Sequence, residues 1–544
     1  MRCTFLSFFL FLTTAAYTQI SPAQEKSIDS LVSAFSGEQT PGCVLAVQRQ
    51  GKMVFTKAYG LANLDDAVPI NGTSVFPLGS LSEQFTAACV GLLAGEGKIR
   101  WKDDIRKYIP ELPYFGDTVR IIHLLNHTSG LRDYFGLISL TGGDVNAYFD
   151  TDFVLHLLAQ SKTLNAKPGT EAIPSASDYL LLGELVKRVS SKTLPEFAKQ
   201  YLFDPLEMTH TFFNEDCHQV VPARAWGYRK VEAGRFVFCP VTDDAVGDHG
   251  VYSCSSDMCK WDENFFTHKI GGEALHKWML ATGTGYPGAG ADKAVVPFPG
   301  MKRNRQSGSA YGCRTSYYRF PDSGLSVLML SNRADALTGT TSMEIAALLL
   351  APAVFRQQNA PVRSTLSPKA FQGFAGSFRR SRSGTTVDVL FKDDSLWIKG
   401  GQGGMEHVLV PLDRRTFKRK DAPQIELVFS NDVHGKAILE FFNDGNKVIF
   451  YRMERAPLSV ADMQQFAGNY VCKEFQIRYN LTVENEAGIA RLPNGETSEW
   501  KPGAKDEINM EEDNLHFFRD ANGKVTGFML DSKGTLGALR FEKN

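Results

Sequence analysis

The chain has 544 residues, with 59 Lys and Arg against 60 Asp and Glu, and 43% of it is hydrophobic. That length suits about three domains, each able to bury a core. A near-neutral balance without a basic block argues against a nucleic-acid partner.

Met1 to Thr18 runs from Arg2 through an apolar stretch, Phe5 to Leu12, into the small residues Thr13 to Ala16. This is the shape of a secretory signal cut ahead of Gln19, and the apolar run is too short to span a bilayer comfortably. It predicts a secreted protein, or one of the periplasm or cell envelope, with no transmembrane segment once the signal is gone. Its removal leaves 58 basic and 60 acidic residues and eight cysteines. An even count permits disulfides in an exported chain. Cys217 with Cys239 and Cys254 with Cys259 are near enough in sequence to bridge, whereas Cys89 reads as a small core residue. No compact set of paired Cys-x-x-Cys ligands appears, so neither a metal nor a cofactor is expected.

Ile28, Leu31, Val32 and Phe35 recur at helical spacing before Gly37, which predicts an amphipathic opening helix. Val44 to Phe55 follows as two β-like runs around Gln50-Gly51, a hairpin. From Phe85 to Leu93 and from Leu180 to Val189 the patterns are helical. Ser316 to Phe320, the turn Pro321 to Gly324, and Leu325 to Leu330 predict a second hairpin. Strands thus flank a helical insert.

After Leu348 to Pro352 the chain changes to short alternating strands with glycine turns, which puts a boundary near 360. Phe374-Ala375-Gly376-Ser377-Phe378 recurs as Phe466-Ala467-Gly468-Asn469-Tyr470, and the turns within 442–450 and 518–528 are similar. Two tandem β-modules follow. Trp397, Trp500, Phe441 and Phe517 either stack on a sugar or fill the module cores.

Val75 to Tyr134, with Gly91 to Lys98, Tyr108 to Pro113 and His123 to Leu131, resembles the serine β-lactamase family, which includes class C β-lactamases, D-alanyl-D-alanine carboxypeptidases and related esterases. The likeness continues through Pro168-Gly169-Thr170, Tyr179 to Gly183, Phe203 to Thr209 and Arg319 to Asp322 to Leu330-Ser331-Asn332-Arg333. It implies an α+β fold: an antiparallel sheet flanked by helices, meeting a mostly helical lobe across a cleft. The expected order is a signal at 1–18, the β-lactamase-like domain at 19–358, and two small all-β modules at 359–456 and 457–544.

The resemblance also implies three catalytic motifs, and this chain departs from each. Ser80 keeps the nucleophile's hydroxyl, but Glu83 stands where a lysine would take its proton. Ser80-x-x-Glu83 ahead of a helix is also a capping box, the hydroxyl accepting from the backbone of residue 83 and the carboxylate from that of residue 80. The missing base favours that reading. Pro174-Ser175-Ala176 occupies the place of Tyr/Ser-x-Asn, and neither Pro174 nor Ala176 can relay a proton. Gln306-Ser307-Gly308-Ser309 occupies the place of Lys/His-Ser-Gly. There Gln306 offers hydrogen bonds without charge, and Gly308 permits close approach. Lys302, Arg303 and Arg305 are expected on a solvated loop. His123 and His127 match scaffold positions of the family, while Asp178, Tyr179 and His249 read as packing or surface.

The reading is a secreted β-lactamase-related protein with lost or much reduced hydrolysis and a cleft for a small-molecule, peptide or cell-wall ligand. Ser80 and Glu83 remain as the degenerate catalytic pair, and Ser175, Gln306, Ser307 and Gly308 as binding residues. The competing reading is a working esterase or D-Ala-D-Ala-type peptidase with Glu83 as general base. In a third reading the first domain is a scaffold presenting the β-modules to an envelope polymer.

Overall fold

The computed structural model describes residues 19–544 apart from 38, 232–233, 281–290, 295–300, 351–367, 381–385, 401–405, 421–424, 433–434, 444–445, 454–458, 486, 503–505, 511–512 and 533–535. The signal at 1–18 and the boundaries expected at 358/359 and 456/457 lie outside the described residues.

The N-terminal hairpin and the later strands build one antiparallel sheet. Its order is Ala291–Ala294, Met301–Ala310, Cys313–Phe320, Leu325–Ser331, Cys43–Arg49 and Lys52–Tyr59. Cys43–Arg49 lies inside the edge strand Lys52–Tyr59, pairing Val44 with Leu330 and with Ala58. Strand alternation sorts its side chains. Cys43, Leu45 and Val47 pack with Val327 and Met329 under the helices Pro22–Leu31 and Thr338–Leu350, through Ile28, Ile345 and Leu349. Val44 and Ala46 face the opposite way, with Leu328 and Leu330, into the core of the helical lobe. Both faces are apolar because both are covered.

Glu83–Gly95 and Ala176–Ser190 are central to the lobe, and Leu180, Leu181, Leu182, Leu185 and Val186 of the latter are buried. Ser191, left-handed at φ 57°, ends that helix. This is the α+β arrangement the resemblance implies.

Strands from Gly376–Arg380 to Asn446–Arg452 close one eight-stranded barrel, and those from Gly468–Cys472 to Leu536–Lys543 close another. The repeated Phe-Ala-Gly marks closure. A Cβ on Gly376 would meet the Arg452 guanidinium at 3.0 Å, and one on Gly468 would meet Lys543 Cε at 2.4 Å, so glycine lets the last strand's cation cross the first strand. Phe374 stacks on Phe429 at 4.5 Å, and Phe466 packs on Phe517 at the same distance. Trp500 is 1% exposed within the second barrel and Phe517 is also core, so neither is placed to stack on a sugar.

The second barrel shares a continuous core with the helical lobe. Arg132, 1% exposed, donates to Glu474 at 2.6 Å, to Thr163 Oγ1 at 2.6 Å and to the Gly537 carbonyl at 3.3 Å. Arg379 of the first barrel pairs with Glu507 of the second. The two cysteine pairs do not bridge; all eight described cysteines are free. Cys254 caps the helix Ser255–Thr267 and Cys259 lies within it, where a rigid backbone separates them.

Candidate functional site

The residues before Ser80 pair as a short strand, Phe76–Pro77, with Tyr252 and Ser253. Leu78 N–H then donates to the Val251 carbonyl at 2.8 Å. Gly79 turns the chain at φ +58°, and a Cβ there would lie 2.4 Å from Ser309 N. Gly308 is equally constrained, since its Cβ would lie 1.9 Å from the Leu78 carbonyl oxygen. Two glycines therefore let the strand Met301–Ala310 lie flush on the turn that carries Ser80, and Thr315 Oγ1 donates to Leu78 O at 2.8 Å to fix the seam. Ser80 is exposed on a 3-10 turn, Gly79–Ser82, that feeds the helix Glu83–Gly95. Its hydroxyl makes no hydrogen bond among the described residues.

The capping box does not form. The α-helix begins at Glu83, with Ser82 as its N-cap and no side-chain cap, so Glu83 is the first helical residue rather than the third. Ser82 Oγ accepts from Val251 N–H at 3.0 Å instead. Glu83 turns to His127, whose Nε2 is 3.5 Å from Oε2, and His127 Nδ1 is 3.0 Å from Asp178 Oδ2. Ser129 Oγ donates to Asp178 Oδ1 at 2.5 Å. Burial alone would push the His127 imidazole down, but the charges and hydrogen bonds of Glu83 and Asp178 override it and raise it to about 10. Burial raises Asp178 to about 6 against the pull of His127, and it raises Glu83 as well. At neutral pH the His127 imidazolium sits between the carboxyl groups of Asp178 and Glu83 beside the Ser80 turn. Of the two expectations for Asp178, packing holds and surface does not, since it is buried against His127.

Ser175 does not reach the cleft. It is 3% exposed, its Oγ has no partner among the described residues, and it occupies the N-cap position of Ala176–Ser190 while Ala176 N–H donates to Asp133 Oδ2 at 2.8 Å. Gln306 lines a separate small pocket with Gln84, Arg305, Tyr317 and Arg319, and its Nε2 is buried without a partner among the described residues. Ser307 is exposed, and Gly308 serves the seam. Lys302, Arg303 and Arg305 lie on the strand Met301–Ala310 rather than a loop, and Arg303 is fully buried.

A cavity of about 540 Å³ opens at Ser80, and its wall holds residues that no motif in the sequence marked. His249 is clamped, Nε2 at 2.8 Å from Asp243 Oδ1 and Nδ1 at 2.9 Å from Asp248 Oδ2. Tyr311 OH donates to Asp243 Oδ2 at 2.7 Å and Tyr134 OH to Asp248 Oδ2 at 3.1 Å. Burial would lower the imidazole, yet the two carboxylates hold it well above its ordinary value. Both ring nitrogens are taken, so His249 is a fixed cation rather than a free base. Tyr311 sits at φ +46° in the tight turn before Cys313–Phe320. A bulky residue there is strained, and the anchored hydroxyl holds it in place. The signal in sequence was the run Asp243, Asp248, His249 among glycines, far from Ser80 along the chain.

A sequence profile described as Beta-lactamase matches residues 28–351. The chain is 22% identical over 482 residues to a D-aminopeptidase of Gluconobacter oxydans, covering 86% of this chain and 85% of that protein. It is 25% identical over 438 residues to penicillin-binding protein 4* of Bacillus subtilis, covering 75% and 94%. Among solved structures, the octameric penicillin-binding protein homologue from Pyrococcus abyssi superposes with a TM-score of 0.56 at 21% identity, covering 79% of this chain and 99% of that one, a likeness of fold. The profile spans more than half of the sequence, and the chain belongs to the β-lactamase family.

Proposed function

We propose that this member of the β-lactamase family has lost efficient serine hydrolysis and uses the cavity at Ser80 to bind a small-molecule or peptide ligand. One observation carries the reading: no group among the described residues accepts the Ser80 proton, because the carboxylate that replaces the expected lysine is drawn to the His127 cation. A general base must come within about 2.6–3.2 Å of its proton. Swinging Glu83 to Ser80 would leave a buried imidazolium with one counter-charge. Neither Pro174 nor Ala176 supplies a relay, and Gln306 lines another pocket. Losing an acid or a base costs on the order of 10²–10⁴-fold each.

Export belongs to the same proposal, supported by the apolar run and small residues of 1–18. No helix among the described residues is long and apolar enough to cross a membrane. The division at 358/359 and 456/457 is proposed likewise, supported by the two barrels that follow it. The test is turnover of a chromogenic cephalosporin and a p-nitrophenyl ester by the purified mature chain beside Ser80→Ala. Equal, background rates are expected; turnover abolished by Ser80→Ala would establish the working hydrolase instead.

A further inference from the structure

His210, Cys254 and Asp257 bring one ring nitrogen, a thiol sulfur and a carboxylate oxygen within 4.8 Å of one another, away from the Ser80 cavity. Cys254 and Asp257 are 0% and 1% exposed, whereas His210 is half-buried and gives access from solvent. The geometry points to a zinc-binding site made by these three side chains, with solvent completing a tetrahedron. A sulfur, nitrogen and oxygen set suits Zn²⁺, whose bonds of about 2.0–2.3 Å place tetrahedral ligands roughly 3.3–3.8 Å apart. An adjustment on the order of an ångström closes the set.

The supporting contacts are in place. Asp257 Oδ2 accepts from His210 N–H at 2.6 Å and from Thr211 Oγ1 at 3.0 Å, which fixes the carboxylate. The Thr209 hydroxyl lies 3.2 Å from His210 Nδ1. Such outer hydrogen bonds orient metal ligands. Cys254 and Asp257 begin the helix Ser255–Thr267, and His210 comes from the turn before Phe212–Phe213. Between them runs Val251–Ser253, which pairs with Phe76–Pro77 at the base of the Ser80 turn. Bound zinc would replace the thiol proton, released to solvent, and tie the base of that turn together. The sequence showed no such site because its ligands stand 44 positions apart and include only one cysteine.

One group opposes the metal. Lys260 Nζ lies 3.1 Å from Asp257 Oδ1 and also donates to the Glu207 carbonyl. Removing that ammonium relieves like-charge repulsion, so Lys260→Met is expected to tighten zinc binding.

The experiment titrates the chelator-stripped full chain with Zn²⁺ against a chromophoric competitor, then with Co²⁺ to read the thiolate-to-cobalt absorption. All chains carry Cys217→Ser and Cys239→Ser to silence the half-buried thiols. One equivalent is expected, weakened by more than roughly 100-fold in His210→Gln and Cys254→Ser, a larger loss than outer contacts cause. The cobalt–thiolate band should vanish in Cys254→Ser. Absence of stoichiometric zinc, or a band and affinity unchanged in His210→Gln, overturns the site. Because His210 is half-buried, its substitution is decisive even if Cys254→Ser does not fold.

Discussion

Replacing Glu83 by glutamine tests the pairing that distinguishes this cleft. The substitution keeps the shape and removes the charge 3.5 Å from His127 Nε2, while Asp178 remains 3.0 Å from Nδ1. Breaking a buried pair by removing one partner costs about 3–5 kcal/mol. Here the lost contact is the longer of two, and glutamine is spared the desolvation that raises Glu83, so a loss of about 2 kcal/mol at pH 7 follows. The pH dependence has a definite sign. His127 is raised from 6.5 to about 10 on folding, so its stabilisation is complete below 6.5 and is lost as the pH rises through 10. Without Glu83 that loss begins at lower pH, so the gap between wild type and variant closes as the pH rises through 10, and above it the variant, spared the desolvation of Glu83, is the more stable. Urea unfolding followed by tryptophan fluorescence at several pH values measures this. A capping box accepts Gln as well as Glu. Equal stability at pH 7 would therefore refute the ion pair and restore the capping reading.

Three further perturbations have clear outcomes. Ser80→Ala should change stability by less than about 0.5 kcal/mol in the same urea assay, since the exposed hydroxyl makes no bond among the described residues. Glu474→Gln removes the carboxylate that buried Arg132 pairs with, and a loss of up to about 3–5 kcal/mol should appear as earlier proteolytic release of the second barrel. Gly308→Ala places a methyl 1.9 Å from the Leu78 carbonyl; a destabilisation of at least about 1–3 kcal/mol, read by thermal unfolding, is expected as the strand lifts from the Ser80 turn.

The layout was legible where local pattern and tertiary demand agree. The β-like runs in Val44 to Phe55 and Ser316 to Leu330 marked strands that are adjacent to one another in the sheet, and the repeated Phe-Ala-Gly marked two tandem β-modules, each of which is a closed barrel. The site was less legible because its contacts are distant in sequence. Glu83 looked like a cap since its partner His127 lies 44 residues on and faces it only after folding. His249 carried no motif; Asp243, Asp248 and Tyr311 become its partners through the meeting of a loop with a strand turn. Arg303 read as solvated, but the strand carries it beneath Tyr318, where its charge lies 5.8 Å from the ring centre. Ser175 sits beside a proline as loop serines do, and nothing local said that the following helix would bury it.

The central claim is that Ser80 has no proton acceptor, and covalent capture by a penicillin tests it most directly. Intact-mass measurement of the purified chain after prolonged exposure should show the unmodified mass for the wild type and Ser80→Ala alike. A stoichiometric gain of one penicillin in the wild type, absent from Ser80→Ala, would contradict the account.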